Sequence, residues 1–142
     1  GHTWDFISYW IPEKKILIAS ESVAVNEKGY LQPEFLVDFD AYIASMERLK
    51  ALKPEVLCTG HYNVFTGPDA EAHIEGSIKA AHAYYDMAQK HLLAEAGDLD
   101  KAVQRVKAEE WDPLPWPKQP ESAYLLNTVQ RVKTVWAKMN QA

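Results

Sequence analysis

The segments of this chain that predict β-strands all lie before Gly60, and only helical patterns follow. The segment from Trp4 to Ile11 is rich in aromatic and branched residues, and the segment from Lys14 to Ala19 is a nearly continuous apolar run. Both compositions are typical of strands. Pro12 between them suits the second position of a tight turn, so we expect an antiparallel hairpin. A sheet this small leaves an edge or a face without a partner, and exposed edges are templates for further pairing.

A β-α-β order follows the hairpin. After a turn at Asn26 to Gly29, apolar residues recur at spacings of three and four, which predicts a helix from about Pro33 to Leu52. Lys53-Pro54 ends this helix, and Glu55 to Thr59 predicts a short buried strand. The apolar positions of the helix are Phe35, Phe39, Tyr42, Met46 and Leu49.

The second half of the chain predicts helices only. A long helix begins around Gly67-Pro68-Asp69, with Asp69 as its N-cap, and ends near Gly97. Shorter helices are expected from Asp98 to Glu110 and from Glu121 to Met139, separated by a stiff connector with four prolines and two tryptophans. We therefore divide the chain at residue 96, into a mixed domain over 1–96 and a helical extension over 97–142.

Composition excludes some classes of function. The formal net charge is −5, with no basic stripe, which argues against nucleic-acid binding. No apolar run is long enough to span a membrane, and the N-terminus has neither the basic nor the apolar region of a signal peptide. Because Cys58 is the single cysteine, an intrachain disulfide is excluded, which fits a reducing compartment. We expect a cytoplasmic protein without membrane or nucleic-acid partners.

Three residues are candidates for a functional site because of their positions beside predicted strands. His2 precedes the first strand, Glu21 follows the second and His61 follows the third. Loops at strand ends commonly hold ligands, and imidazole and carboxylate groups suit zinc, iron or manganese. The alternatives are a terminal residue left by cloning for His2, a solvated turn residue for Glu21 and an exposed loop histidine for His61. Tyr62, beside His61, is a candidate for the substrate pocket.

These segments together resemble the second half of the metallo-β-lactamase superfamily. The matching pieces are Gly1-His2-Thr3, a hairpin containing proline, the segment from Lys15 to Glu21, and Cys58-Thr59-Gly60-His61. In that family the first histidine, the acidic residue after the hairpin and the later Gly-His all bind metal. The resemblance therefore implies that His2, Glu21 and His61 are ligands, and that the chain forms about half of an αββα sandwich.

Two departures from the family pattern bear on the site. The bridging position holds Glu21 where the family normally has aspartate, and the His-x-His-x-Asp-His motif that supplies the other ligands does not occur in this sequence. The remaining histidines, at positions 73, 82 and 91, lie in the predicted long helix. Their spacing of nine residues is about two and a half turns, so neighbouring ones point to opposite sides and cannot replace the motif. We expect little activity from this chain alone.

The resemblance implies hydrolysis of an ester, thioester, amide or related bond of a small molecule by metal-activated water, with one or two zinc ions in the intact protein. Iron and manganese are the alternatives. The expected partner is either a missing N-terminal half or a second copy of the chain. Two other interpretations stay open: a non-catalytic oligomerisation or partner-binding module without a functional metal site, and an enzyme whose missing ligands lie on another polypeptide.

Overall fold

The computed structural model describes residues 2–61 and 63–141. Within them the chain is mixed α/β, with four α-helices and two small sheets, so the predicted α/β class is confirmed at this level. The chain divides into two compact units, Gly1–His82 and Ala83–Ala142. The functional boundary placed at residue 96 stays a prediction.

The first unit contains all six strands. In chain order they are β1 (Tyr9–Ile11), β2 (Ile16–Ser20), β3 (Val25–Glu27), β4 (Tyr30–Gln32), β5 (Val56–Thr59) and β6 (Val64–Thr66). One sheet has the order β1-β2-β5-β6, and the other is the pair β3-β4. Strands β1 and β2 are antiparallel and joined by a 3₁₀ turn over Pro12–Lys14, which confirms the predicted hairpin. The first strand begins at Tyr9 and not at Trp4, because the chain forms a turn there, in which the Phe6 N–H donates to the Thr3 carbonyl.

The central pair of the larger sheet is parallel. Strands β2 and β5 run in the same direction, and helix α1 (Phe39–Ala51) lies between them in the chain, which confirms the β-α-β order. Helix α1 begins at Phe39 and not at Pro33, because the Asp38 carboxylate caps it by accepting a 2.7 Å hydrogen bond from the Ala41 N–H. The apolar spacing continues upstream of the cap, and for this reason the sequence pattern predicts a longer helix. Its C-terminal end agrees with the prediction.

Three short strands are not predicted by the sequence pattern. Strands β3 and β4 flank a turn in which Lys28 and Gly29 both have positive φ angles, 54° and 91°, as hairpin turns of type I′ require. The Asn26 side chain accepts a hydrogen bond from the Gly29 N–H within this turn. Strand β6 pairs antiparallel with β5. Each of the three has only three residues, too few for alternation to be detected.

The two faces of the larger sheet differ in burial. Leu17 and Ala19 of β2 and Leu57 of β5 are completely buried. Their neighbours along the strands point to the opposite face, because successive strand residues alternate. Ile18, for example, is 41% exposed. Helix α1, the loops and the first part of the helix over Pro68–Ala94 add further large buried side chains of this unit: Val23, Phe35, Phe39, Tyr42, Met46 and Ile74.

The second unit is helical. It contains the C-terminal part of α2 (Pro68–Ala94), then α3 (Leu99–Glu110) and α4 (Glu121–Met139), whose predicted bounds are confirmed. Asp69, the predicted N-cap of α2, lies inside that helix. Asp98 caps α3 by accepting from the Lys101 N–H. Among the described residues, no helix is both long and apolar enough to cross a membrane.

Candidate functional site

The parallel pairing of β2 and β5 brings Glu21 and His61 together. Parallel strands end at the same edge of a sheet, and here Ser20 is opposite Thr59. Glu21 is the first residue after β2, and His61 is the second residue after β5. The His61 Nε2 and the Glu21 Oε1 lie 2.8 Å apart, although the residues are 40 positions apart in the chain.

The end of β2 is shaped so that the loops can approach closely. The register shifts between Ile18 and Ser20, and Ser20 has a φ of 48°, in the left-handed region. Such irregularities re-aim the side chains that follow them. A Cβ at Gly60 would lie 2.9 Å from the Ser20 Oγ and 3.3 Å from the Glu21 Cγ. The absence of a side chain at Gly60 therefore lets the His61 loop lie directly against the Glu21 loop.

His2 reaches the same edge because β1 is antiparallel to β2, so the chain before β1 lies at the end of β2. The His2 ring is held by a 2.7 Å hydrogen bond between its Nδ1 and the Glu34 carbonyl oxygen, and by edge contact with the Phe6 ring. Its backbone carbonyl accepts from the Leu36 N–H. The His2 Nε2 lies 3.4 Å from the Glu21 Oε2.

The structure thus brings the three sequence-predicted ligands together. The Glu21 carboxylate lies between two imidazoles and contacts one ring with each oxygen. Exposure rises from His2, with 15% of its side chain accessible, through Glu21 at 26% to His61 at 46%. We call these residues the His2–Glu21–His61 cluster. It is open to solvent on the His61 side.

The hydrogen bond to Glu34 determines where the proton of His2 sits. A carbonyl oxygen only accepts, so Nδ1 of His2 must carry a hydrogen. In a neutral ring, Nε2 then has a lone pair, and this lone pair faces a carboxylate oxygen. A metal ion bound by both atoms, or a proton between them, would relieve the repulsion of these two acceptors. An Nδ1–H bonded to a carbonyl is also the usual second contact of a metal-binding histidine.

The cluster fits a metal ion in donor type but not in number. Two ligands of one zinc ion lie about 3.4 Å apart when bonds of about 2.1 Å are tetrahedral, close to the 3.4 Å between His2 Nε2 and Glu21 Oε2. The two Glu21 oxygens, however, face different rings. Within residues 2–61 and 63–141, no three His, Cys, Asp or Glu side chains form a group that could hold a metal ion. Glu21 would have to turn, and further donors would have to be supplied.

Two neighbouring side chains that the sequence does not single out hold the His61 loop. The Asn63 Nδ2 donates to the His61 carbonyl and to the Asn26 carbonyl, 3.1 and 3.0 Å away. The Thr59 hydroxyl lies 3.2 Å from the His61 carbonyl oxygen and 3.0 Å from that of Asn63. Asn26 is remote in sequence, so no local pattern could have indicated this contact. Asn63 thus connects the loop that carries His61 to strand β3.

The turn after His2 carries a further anionic group. The Thr3 hydroxyl donates a 2.7 Å hydrogen bond to the Asp5 carboxylate. This hydrogen bond is the main reason that the pKa of Asp5 is lowered from its ordinary value. Asp5 therefore stays negatively charged down to a lower pH than a free aspartate would.

The other sequence-predicted positions have different environments. Tyr62, predicted to line a substrate pocket, lies outside the described residues. Cys58 is half-buried in β5. All three remaining histidines lie in α2, as predicted: His73 is buried, His82 contacts the Phe39 ring, and the His91 Nε2 lies 2.8 Å from Glu109. None of them contacts the His2–Glu21–His61 cluster.

No model of a known protein family matches the chain, and no curated protein sequence does either.

Proposed function

We propose that this chain is the C-terminal half of a metal-dependent hydrolase of the metallo-β-lactamase type, and that His2, Glu21 and His61 are metal ligands. The observation that carries the proposal is the position of both imidazole Nε2 atoms, 3.4 and 2.8 Å from one carboxylate. Glu21 and His61 follow the ends of two different strands and His2 lies in the segment before β1, so residues far apart in sequence meet at one edge. The proton on Nδ1 of His2 adds support, because it leaves Nε2 able to bind a cation.

The residues of the cluster have separate parts in such a site. His2 is held in one orientation by the Glu34 carbonyl, so it presents Nε2 without rearrangement. His61 is more exposed and would exchange its hydrogen bond with Glu21 for a metal bond. Zinc bound there would supply a Lewis acid that polarises the scissile bond and activates water, and iron and manganese are the alternatives. Because His2, Glu21 and His61 supply only three ligands, another segment would have to supply the remaining metal donors.

The larger sheet supports the finer proposal of a half αββα sandwich. Its outer face carries two rows of side chains, given by the strand register: Tyr9, Ile18, Cys58 and Val64 in one row, and Ile11, Ile16, Val56 and Thr66 in the other. Seven of these eight are apolar or aromatic. Tyr9 and Val64 are more than 60% exposed. In sandwiches a face of this kind packs against a second sheet about 10 Å away.

The substrate class follows from the resemblance: a small molecule with an ester, thioester, amide or related bond, in the cytoplasm. The partner that completes the site is a missing N-terminal half or a second copy of the chain. A coding sequence with a His-x-His-x-Asp-His motif upstream of Gly1 would favour the first. Activity that appears only when a separate polypeptide is added would favour ligands on another chain.

The test is metal content. The chain is purified without added metal or a histidine tag, and transition metals are measured per chain by mass spectrometry. We expect zinc, iron or manganese in the chain and its loss in His61→Ala. His82→Ala is the matched control, because His82 contacts the Phe39 ring and not Glu21. It should keep the metal.

The alternative function is a non-catalytic oligomerisation or partner-binding module. The exposed apolar face of the sheet favours it as well, because large exposed apolar patches mark interaction sites. In this case the cluster consists of contacts between one carboxylate and two imidazoles, without a metal ion. If neither the unchanged chain nor His61→Ala holds metal, these three residues do not bind it without further donors. That result favours this module, or a site completed by another segment, over a metal site in this chain alone.

A further inference from the structure

The backbone of Ala24 is held at both its N–H and its carbonyl by side chains of helix α2. The Ala24 N–H donates to the Ser77 Oγ over 3.1 Å, and the Ala24 carbonyl accepts from the His73 Nε2 over 3.0 Å. The Ser77 hydroxyl in turn donates to the His73 carbonyl, 2.7 Å away. Ala24 and Ser77 are completely buried, and His73 is 5% exposed. We call these contacts the Ala24 clamp.

The clamp acts on the loop that carries Glu21. Ala24 is three residues after Glu21, and the segment between them is short and compact. The Ser22 N–H donates to the Ala19 carbonyl, and the Ser22 hydroxyl accepts from the Ser8 hydroxyl. With the β2 strand fixed on one side and Ala24 fixed on the other, few backbone conformations remain for Glu21. The direction of its carboxylate therefore depends on both attachments.

We propose that His73 and Ser77 are positioning residues that hold Glu21 between His2 and His61. The role of Glu21 as a ligand rests on the function proposed above, whereas its placement by the clamp does not. Their effect reaches the cluster through the Ala24 backbone, which distinguishes them from ligands and from residues that only fill the core.

His73 has two kinds of contact that substitutions can separate. Its ring stacks on Phe65 of β6, with centroids 4.3 Å apart and an interplanar angle of 17°. Its Nε2–H holds the Ala24 carbonyl. Burial lowers the pKa of His73, so the ring is neutral and keeps a single N–H for this contact. Phenylalanine would keep the stacking and lose the donor. Glutamine would lose the ring but carry an amide N–H at a similar reach.

The first experiment uses the metal-free full chain and imidazole ¹⁵N NMR of His61, with the ¹³C signal of the Glu21 carboxyl, at a fixed pH. We expect His73→Phe and Ser77→Ala to shift both signals. His73→Gln should keep them near their original positions. Ile74→Val is the matched control, because Ile74 is a completely buried residue of the same helix that takes no part in the clamp. It removes one buried methyl group, which lowers stability slightly through lost packing, and should leave both signals in place.

The second experiment measures Co²⁺ affinity and its visible spectrum in the same variants. Loss of a contact that orients a ligand typically weakens metal binding by about 10- to 100-fold. We expect this loss in His73→Phe and Ser77→Ala, with a changed spectrum, and recovery in His73→Gln.

The outcomes separate the two proposals. If the unchanged chain binds no Co²⁺ but the NMR signals respond as expected, the metal site is wrong and the clamp stands. If His73→Phe leaves the His61 and Glu21 signals unchanged, the clamp does not position Glu21. The same conclusion follows if Ile74→Val shifts the signals as much as Ser77→Ala, or if His73→Gln fails to restore them while remaining folded.

Discussion

Each unit of the molecule has a carboxylate at the centre of a polar cluster, and the two clusters differ in burial. In the first unit, Glu21 contacts two histidines at a solvent-open edge. In the second unit, Glu110 accepts a hydrogen bond from the Tyr124 hydroxyl and lies 3.4 Å from Arg131. The Glu110 side chain is 7% exposed and that of Arg131 is completely buried. Arg131 also lies over the Tyr84 ring, 4.1 Å from its centroid.

The difference teaches how to tell a functional cluster from a structural one. Around Glu110 the cation is an arginine, which does not lose its charge, and the phenol is locked by burial. Around Glu21 the partners are imidazoles, which are common metal ligands. The Glu110 cluster keeps its partners because they are buried, whereas the solvent-open Glu21 cluster can exchange them. The buried cluster should therefore control stability, and the open one should control binding.

Removing the buried cation should give the largest effect. We expect Arg131→Leu to lower the free energy of unfolding by about 3 to 5 kcal/mol, because it leaves a carboxylate charge without its cation in a buried site. His61→Leu, at the open cluster, should change it by about 1 kcal/mol or less. Chemical denaturation measures both. Adding Glu110→Gln to Arg131→Leu should recover about half of the loss. Equal effects of Arg131→Leu and His61→Leu would contradict the comparison.

Glycine substitutions extend the contrast to the backbone. Gly97 has a φ of 82°, and a Cβ there would lie 2.7 Å from the rigid Trp136 indole. Strain and overpacking together should make Gly97→Ala cost about 2 to 4 kcal/mol. At Gly60 the nearest atoms belong to Ser20 and Glu21 side chains, which can move, so Gly60→Ala should cost about 1 kcal/mol. It should nevertheless shift the His61 NMR signals. Unfolding curves and NMR spectra that rank the two glycines in the opposite order would break the comparison.

The pH dependence of stability should report the buried cluster. Burial, and then the charge of Glu110, raises the pKa of Tyr124 well above its ordinary value of 10.0. The folded state then holds this proton more tightly than the unfolded state, so the stabilisation is complete below pH 10 and is lost as the pH rises. We expect a slope of up to about 1.4 kcal/mol per pH unit above pH 10. Tyr124→Phe should flatten the curve between pH 10 and 11; an unchanged slope would show that another group is responsible.

The smallest effect on stability should come from the proposed ligand itself. We expect Glu21→Gln to change the free energy of unfolding by about 1 kcal/mol or less, since the carboxylate is partly solvated and its partners are exposed to different degrees. The same substitution should remove the metal that we expect in the unchanged chain. A thermal melt and metal analysis on one sample provide both values. A large loss of stability with the metal retained would mean that Glu21 is structural.

The sequence predicts the parts of the fold that depend on local chemistry. The hairpin at Pro12, the β-α-β order and the bounds of α3 and α4 all follow from turn residues, spacing and caps. The predicted start of α1 is wrong. Apolar spacing continues through residues 33–38, but the Asp38 cap sets the boundary at Phe39. Strands of three residues carry too little pattern to be found.

For the site, the sequence predicts which residues meet but not what holds them. Strand-end positions are sufficient to place Glu21 and His61 at one edge once the pairing is known, whereas His2 lies before β1 and is held there by contacts with Glu34 and Leu36. The Glu34 carbonyl, Asn63 and the Ala24 clamp act through backbone atoms of distant segments, which have no residue-type signature. The metal, the substrate and the sandwich remain predictions.

The parallel pairing of β2 with β5 also has a consequence for folding. Closing a hairpin is local and fast, whereas joining strands 40 positions apart requires the entropy of a large loop to be overcome first. The His61–Glu21 contact cannot exist before that step, so it reports the completion of the sheet. A cation that binds only the assembled cluster stabilises the native state by mass action, and this favours β2–β5 pairing over any register that leaves His61 elsewhere.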